Sequence, residues 1–287
     1  MTSPETRFAR RNTNGITLHV AEAGPESGPL VILLHGFPEF WYGWRRQIPA
    51  LAGMGYRVLA PDQRGYNLSD KPRDIAAYEL DRLAADIIGL ADGAGRRRFS
   101  IVGHDWGAVV GFWIASLHPD RVERLAALNA PHPAIWRRAM RDDPAQRRKS
   151  WYVHAFRIPW LPEFILRRQN FEALAQAVRD TRRADANSER DLAVYRAAWS
   201  KPGALTAMVN WYRALHRIDL LTEPLPHIKP RTLIIWGTDD KFVMNDLAEK
   251  SAALCMQGSV TYLDTATHWV QHDEPDRVNA LLLEFLR

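Results

Sequence analysis

Four short stretches of this 287-residue chain carry residue types that can do chemistry together. The first is Gly103-His104-Asp105-Trp106-Gly107, in which a carboxylate stands between two glycines. Glycines on either side of a sharp turn relieve clashes around a strained central residue, whose side chain can then project outward. A carboxylate at such an apex points to nucleophilic catalysis through an ester of its own side chain. By itself, Gly-x-Asp-x-Gly is also an ordinary turn in which Asp bonds its own backbone. The flanks favour the nucleophile: Phe99-Ser100-Ile101-Val102 reads as a short buried strand, and Ala108 to Ala115 continues as an apolar helix.

An aspartyl ester is released only if a base activates water and an acid orients that base. Candidates follow the last two strand-like runs: Asp239 and Asp240 come after Thr232–Trp236, and His268 comes after Val260–Leu263. The carboxyl ends of strands are where sites form in open α/β sheets. His272 is the rival base. A zinc pair is not expected, because Trp269-Val270-Gln271 lies between the two histidines, whereas the helical metal motif puts glutamate directly after the first. The fourth stretch, His35-Gly36-Phe37-Pro38, directly follows the apolar run Leu30–Leu34. A loop after an early strand, together with the N–H after the nucleophile, supplies backbone donors for an oxyanion. Those donors are the N–H groups of Phe37 and Trp106.

The elements that must position these residues are legible in the hydrophobic pattern. Short apolar runs at Ile16–Ala21, Leu30–Leu34, Arg57–Ala60, Phe99–Val102, Leu125–Asn129, Thr232–Trp236 and Val260–Leu263 predict strands. Leu80–Leu90, Ala108–Leu117 and Pro275–Leu286 carry apolar residues at helical spacing. Strands alternating with amphipathic helices give a mostly parallel α/β sheet. The alternation stops between about Pro131 and Pro230, where the segments read as helical and rich in Trp and Arg. Pro131-His132-Pro133 leads into this stretch and Pro224-Leu225-Pro226 leads out, so we expect a core of residues 1–131 and 223–287 and an inserted helical domain of residues 132–222.

Composition excludes several classes. With 46% hydrophobic residues the chain is long enough for a large core. No run approaches a membrane span and the N-terminus lacks an apolar leader, which leads us to expect a soluble, cytoplasmic protein. The single cysteine, Cys255, rules out an intrachain disulfide and reads as a packed thiol. The net charge of +5 is carried mainly by arginine doublets dispersed along the chain, without the aromatic interleaving of a nucleic-acid surface.

Across nearly its whole length the chain resembles the soluble epoxide hydrolase branch of the α/β-hydrolase fold family. The likeness rests on His35-Gly36-Phe37-Pro38-Glu39, Trp41 to Pro49, Gly55 to Asp62, Arg64-Gly65-Tyr66, Gly103 to Gly107 and His268-Trp269. It implies an α/β-hydrolase fold with a helical cap, and Asp240 rather than Asp239 as the triad acid. Relatives of the fluoroacetate dehalogenase type place that acid after the strand at Leu125–Asn129, where this chain has Asn129. The resemblance also implies two cap tyrosines that hydrogen-bond the epoxide oxygen, matched by Tyr152 and Tyr212, with Tyr195 and His154 as substitutes.

The implied pocket is apolar, lined by Phe37, Trp41, Trp106, Trp151, Phe156, Trp211 and Trp269. No cofactor and no metal is implied. The expected partners are a small apolar epoxide and water, with no nucleic acid and no membrane insertion, in a monomer or homodimer. The rival readings are a haloalkane or haloacid dehalogenase using the same aspartate, and a hydrolase fold that only binds ligand.

Overall fold

The structure, a computed structural model, describes residues 5–181, 183, 186–215 and 227–287. It opens with a hairpin of β1 (Arg7–Thr13) and β2 (Ile16–Ala23), whose turn residues Asn14 and Gly15 both have positive φ. A two-residue hairpin turn of this hand favours Asn-Gly. Then follow β3 (Leu30–Leu34), α1 (Gln47–Gly53), β4 (Arg57–Pro61), α2 (Leu80–Gly93), β5 (Phe99–His104), α3 (Trp106–Leu117) and β6 (Val122–Leu128).

After β6 the described residues form no strand until β7. They fold into α4 (Pro133–Asp142), α5 (Pro144–Lys149), α6 (Trp151–Ala155), α7 (Leu161–Arg179), α8 (Glu189–Trp199) and α9 (Ala204–Ala214). Residues Gln169, Asn170 and Phe171 have positive φ, which breaks α7 into two helical halves. The chain closes with β7 (Arg231–Asp239), α10 (Asp246–Ala252), β8 (Gly258–Thr267), α11 (Val270–Asp273) and α12 (Pro275–Leu286).

The eight strands form one sheet in the order β1-β2-β4-β3-β5-β6-β7-β8, antiparallel at β1-β2 and β2-β4 and parallel from β4 to β8. Side chains alternate between two cores. In β3, Leu30, Ile32 and Leu34 enter one hydrophobic cluster while Val31 and Leu33 enter the other. A strand buried on both faces reads as a continuous apolar run, which is why Leu30–Leu34 carries no polar residue. Helices therefore cover both faces, and the carboxyl ends of β3, β5, β7 and β8 converge on one edge.

The sequence pattern misses β1. Its residues, Arg7 to Thr13, are largely exposed and rich in arginine, so an edge strand with little to bury shows no apolar run. The strand expected at Leu125–Asn129 is Val122–Leu128, and Asn129 lies just past it with φ of 44°. The boundary expected between residues 222 and 223, with Pro224-Leu225-Pro226, lies outside the described residues. Cys255 is half-buried, and burial pushes its thiol up to about 11. No described helix is long and apolar enough to cross a membrane.

Candidate active site

Asp105 sits where β5 gives way to α3, with φ of 49° and ψ of −121°. Side-chain-bearing residues rarely adopt this conformation, and it is held only where the surroundings enforce it. The flanking glycines make it possible. A Cβ on Gly103 would strike the first turn of α3, and one on Gly107 would strike the backbone of Leu34. Gly36 answers a third close approach, because a Cβ there would run into the Asp105 carboxylate itself.

The loop after β3 consequently closes on Asp105, whose Oδ1 accepts a hydrogen bond from the Phe37 backbone N–H at 2.8 Å. The other oxygen, Oδ2, lies 3.7 Å from His268 Nε2. Across the ring, His268 Nδ1 meets Asp240 Oδ2 at 2.8 Å. Asp240 is itself fixed from three directions: Asn129 Nδ2 donates to Oδ2 at 2.8 Å, and the Phe242 and Val243 N–H groups donate to Oδ1 at 2.7 and 2.9 Å. Asn129 is clamped in turn by the backbone of Gly237, to whose carbonyl it donates and from whose N–H it accepts.

Electrostatics follow from this geometry. Burial opposes charge on Asp240, but His268, Asn129 and the Phe242 N–H outweigh it and hold the carboxyl below its ordinary range. Burial likewise opposes charge on His268, yet Asp240 first and Asp105 next raise its pKa above the ordinary 6.5.

Tyr152 from α6 and Tyr212 from α9 face Asp105 from the inserted helices, with ring centroids 6.0 Å apart and planes at 78°. Burial pushes both phenols up, and the charge of Asp105 adds to it. Both therefore stay protonated donors throughout the neutral range. Trp106 opens α3 and stands edge-on to Tyr212 at 5.1 Å.

Two cavities meet at this point. One, of about 480 Å³, is walled by Phe37, Tyr152, Phe156, Leu174, Phe242 and Trp269 and reaches out past Trp151. The other, of about 60 Å³, lies between Trp106, Val109, Trp136 and Val153. Asp105, Tyr152 and Tyr212 line both.

Two expected lining residues are elsewhere. Trp41 packs edge-on against Phe8 of the hairpin at 4.9 Å. Trp211 turns into the core, where its indole donates to the Arg64 carbonyl at 3.0 Å. A step of one residue rotates a helical side chain by about 100°, so Trp211 cannot share the direction of Tyr212.

The substitutes are also accounted for. His154 is exposed. His272 and Tyr195 both bond the buried Glu39 Oε1, at 2.7 and 2.6 Å, and Gln271 donates to Oε2 at 3.0 Å. Burial opposes charge on Glu39, but His272 and His104 hold its carboxyl well below the ordinary range. Asp239 ends β7 one residue short of the carboxylate that meets His268. The sequence reading did not single out Glu39, Phe242 or the inner face of α7 as parts of the site. Glu39 was detectable, since an acidic residue inside an otherwise apolar loop motif demands buried partners.

The profile of the α/β hydrolase fold family matches residues 29–275, and the chain belongs to that family. Within it, the chain falls in the epoxide hydrolase branch. It is 46% identical to the AB hydrolase superfamily protein YfhM of Bacillus subtilis over 96% of each chain. Epoxide hydrolase A of Mycobacterium tuberculosis is 35% identical, with 100% of this chain and 98% of that one covered. The crystal structure of an epoxide hydrolase from Bacillus megaterium in complex with an inhibitor superposes with a TM-score of 0.88 at 32% identity, covering 97% of this chain and 99% of the other.

Proposed function

We propose that the protein is an epoxide hydrolase that makes a vicinal diol through a covalent ester on Asp105. The observation that carries this reading is the pair of protonated phenols, half-buried Tyr152 and buried Tyr212, lining the cavity that Asp105 enters from the sheet. An aspartate alone displaces any good leaving group. A strained ring oxygen, by contrast, needs proton donors where its charge develops.

In the first step Asp105 Oδ2 attacks an epoxide carbon from the rear. The carbon–oxygen bond breaks, and the departing oxygen takes a proton from a tyrosine, leaving a hydroxyalkyl ester. In the second step His268, oriented by Asp240, takes a proton from water as that water attacks the ester carbonyl. The developing oxyanion is the atom that was Oδ1, already held by the Phe37 N–H; the Trp106 N–H, unpaired at the start of α3, is its second donor. On collapse the departing diol oxygen takes the second proton of the added water, which leaves Asp105 a carboxylate, and the proton taken by His268 restores the phenol, so one water is added overall. None of these steps calls for a metal or an organic cofactor.

The ester also tunes its own base. Asp105 is among the charges that raise the His268 pKa, and esterification removes that charge, so the imidazole loses its proton more readily once water must be activated. Within residues 132–222, helices α4 to α9 serve as a cap that carries both tyrosines over the sheet edge. Where the two cavities meet, the epoxide ring is held with a bulky apolar substituent on the larger side and a small one on the other.

A halide-displacing enzyme would hold its leaving ion on indole or similar N–H donors, whereas here two phenols line both cavities beside Asp105. The test is Tyr152→Phe combined with Tyr212→Phe. Losing an oxyanion donor costs roughly a hundred- to a thousand-fold in rate, so hydrolysis of styrene oxide is expected to fall at least a thousand-fold while the circular dichroism spectrum and melting point are kept. Epoxide turnover within ten-fold of the parent would contradict the proposal.

A further inference from the structure

At and beyond the mouth of the larger cavity, the inserted helices leave several large apolar side chains uncovered. Trp151 is 67% exposed, Trp160 73%, Phe164 59%, Ile165 49% and Ile158 45%, all within fifteen residues of one another. Trp151 and Ile165 line the mouth itself, and Trp160 caps the helix that carries Phe164 and Ile165. Single exposed apolar residues are normal, but five large ones crowded into one short segment point to an interaction surface.

The same segment holds the charge of the chain. Arg147, Arg148, Lys149, Arg157, Arg167 and Arg168 face one acid, Glu163, and that acid is paired with Arg213 at 2.6 Å. The surplus between residues 147 and 168 is five, equal to the net charge of all 287 residues, so acids and bases balance over the rest. Dispersed arginine doublets thus conceal a surplus held in one segment, of which Arg148 and Lys149 line the cavity itself. Two such faces would repel each other, which disfavours a second copy as the cover.

We infer that the Trp151–Arg168 face docks on an anionic lipid surface, with Trp160 and Phe164 entering the headgroup region and the basic residues against the lipid phosphates. Tryptophan and phenylalanine among lysine and arginine suit that boundary. The protein rests on the bilayer without spanning it, and the cavity opens toward the phase in which apolar molecules dissolve.

The test is flotation of the full chain with vesicles of phosphatidylglycerol and phosphatidylcholine, and with phosphatidylcholine alone, at low and high salt. Binding is expected only to the anionic vesicles and is weakened by salt. Each basic side chain near such a surface contributes about five-fold, so R167E with R168E is expected to lower partitioning by about 30-fold or more, and W160S with F164S at least ten-fold. Neither pair lines the cavity, so hydrolysis of a water-soluble epoxide serves as the check on folding. Three results overturn the inference: no binding to anionic vesicles; binding that the variants leave unchanged; or a dimer in sedimentation velocity that W160S with F164S dissolves, which would make a second copy the cover.

Discussion

Replacing Asp240 by asparagine separates the two half-reactions. Asp240 Oδ1 accepts from the N–H groups of Phe242 and Val243, so an asparagine must keep its oxygen there to avoid stranding two buried donors. Its amide NH2 then faces both Asn129 Nδ2 and His268 Nδ1, where the parent carboxylate accepts at 2.8 Å from each. To accept from that NH2, His268 must move its proton from Nδ1 to Nε2, the nitrogen that has to accept a proton from water. The wrong tautomer costs about ten-thousand-fold in the analogous serine triad, or roughly 5.5 kcal/mol of barrier.

Ring opening does not need His268 as a base, so the variant is expected to open one epoxide per active site and stall. Rapid mixing with a chromogenic epoxide should show a burst of one equivalent, and intact mass should rise by the mass of the whole epoxide. The reasoning fails if steady turnover stays within ten-fold of the parent, or if turnover is lost without the burst.

Three further outcomes follow from the same geometry. Ester decay requires neutral His268, whose pKa in the free protein lies above 6.5; decay should slow as pH falls, with a midpoint below that of His268 in the free protein measured by NMR, and equal midpoints would refute the self-tuning step. Trp136→Ala enlarges the smaller cavity and is expected to raise kcat/KM for trans-stilbene oxide relative to styrene oxide at least ten-fold; an unchanged ratio would show that Trp136 does not limit that side. Because the folded-state pKa of Glu39 is depressed, its contribution to stability is present at neutral pH and lost as pH falls through the carboxylate range. Glu39→Gln, which leaves buried donors mispaired at a cost of about 1–3 kcal/mol, should lower the melting point at pH 7 and flatten its fall in acid; an identical profile would remove Glu39 from the account.

How much of this was legible depended on whether a residue acts through its neighbours in sequence or in space. The elbow at Asp105 was readable because its causes are local: two glycines, an apolar run before and another after. Thr232–Trp236, buried on both faces, and Val260–Leu263, half-buried at the sheet edge, were readable as short apolar runs, which fixed where Asp240 and His268 emerge. Strand β1 was not, although Asn14-Gly15 announced its hairpin, because an edge strand of arginines has no apolar period. The lining fared worst. Trp41 and Trp211 looked like cavity walls by type and neighbourhood, yet the direction of a side chain depends on helix phase and on which element lies opposite. Asn129 was noted only as a missing acid, and its role in clamping Asp240 appears only when β6 and β7 lie side by side.

The covalent ester is tested most directly by a single turnover with protein in excess over epoxide, in water labelled with the heavy oxygen isotope. If Asp105 is the nucleophile, the first diol carries unlabelled oxygen from the carboxylate, and peptide mass mapping finds the label at Asp105. A first diol that carries the label, with Asp105 unlabelled, would mean that water attacks the epoxide itself and would contradict the account.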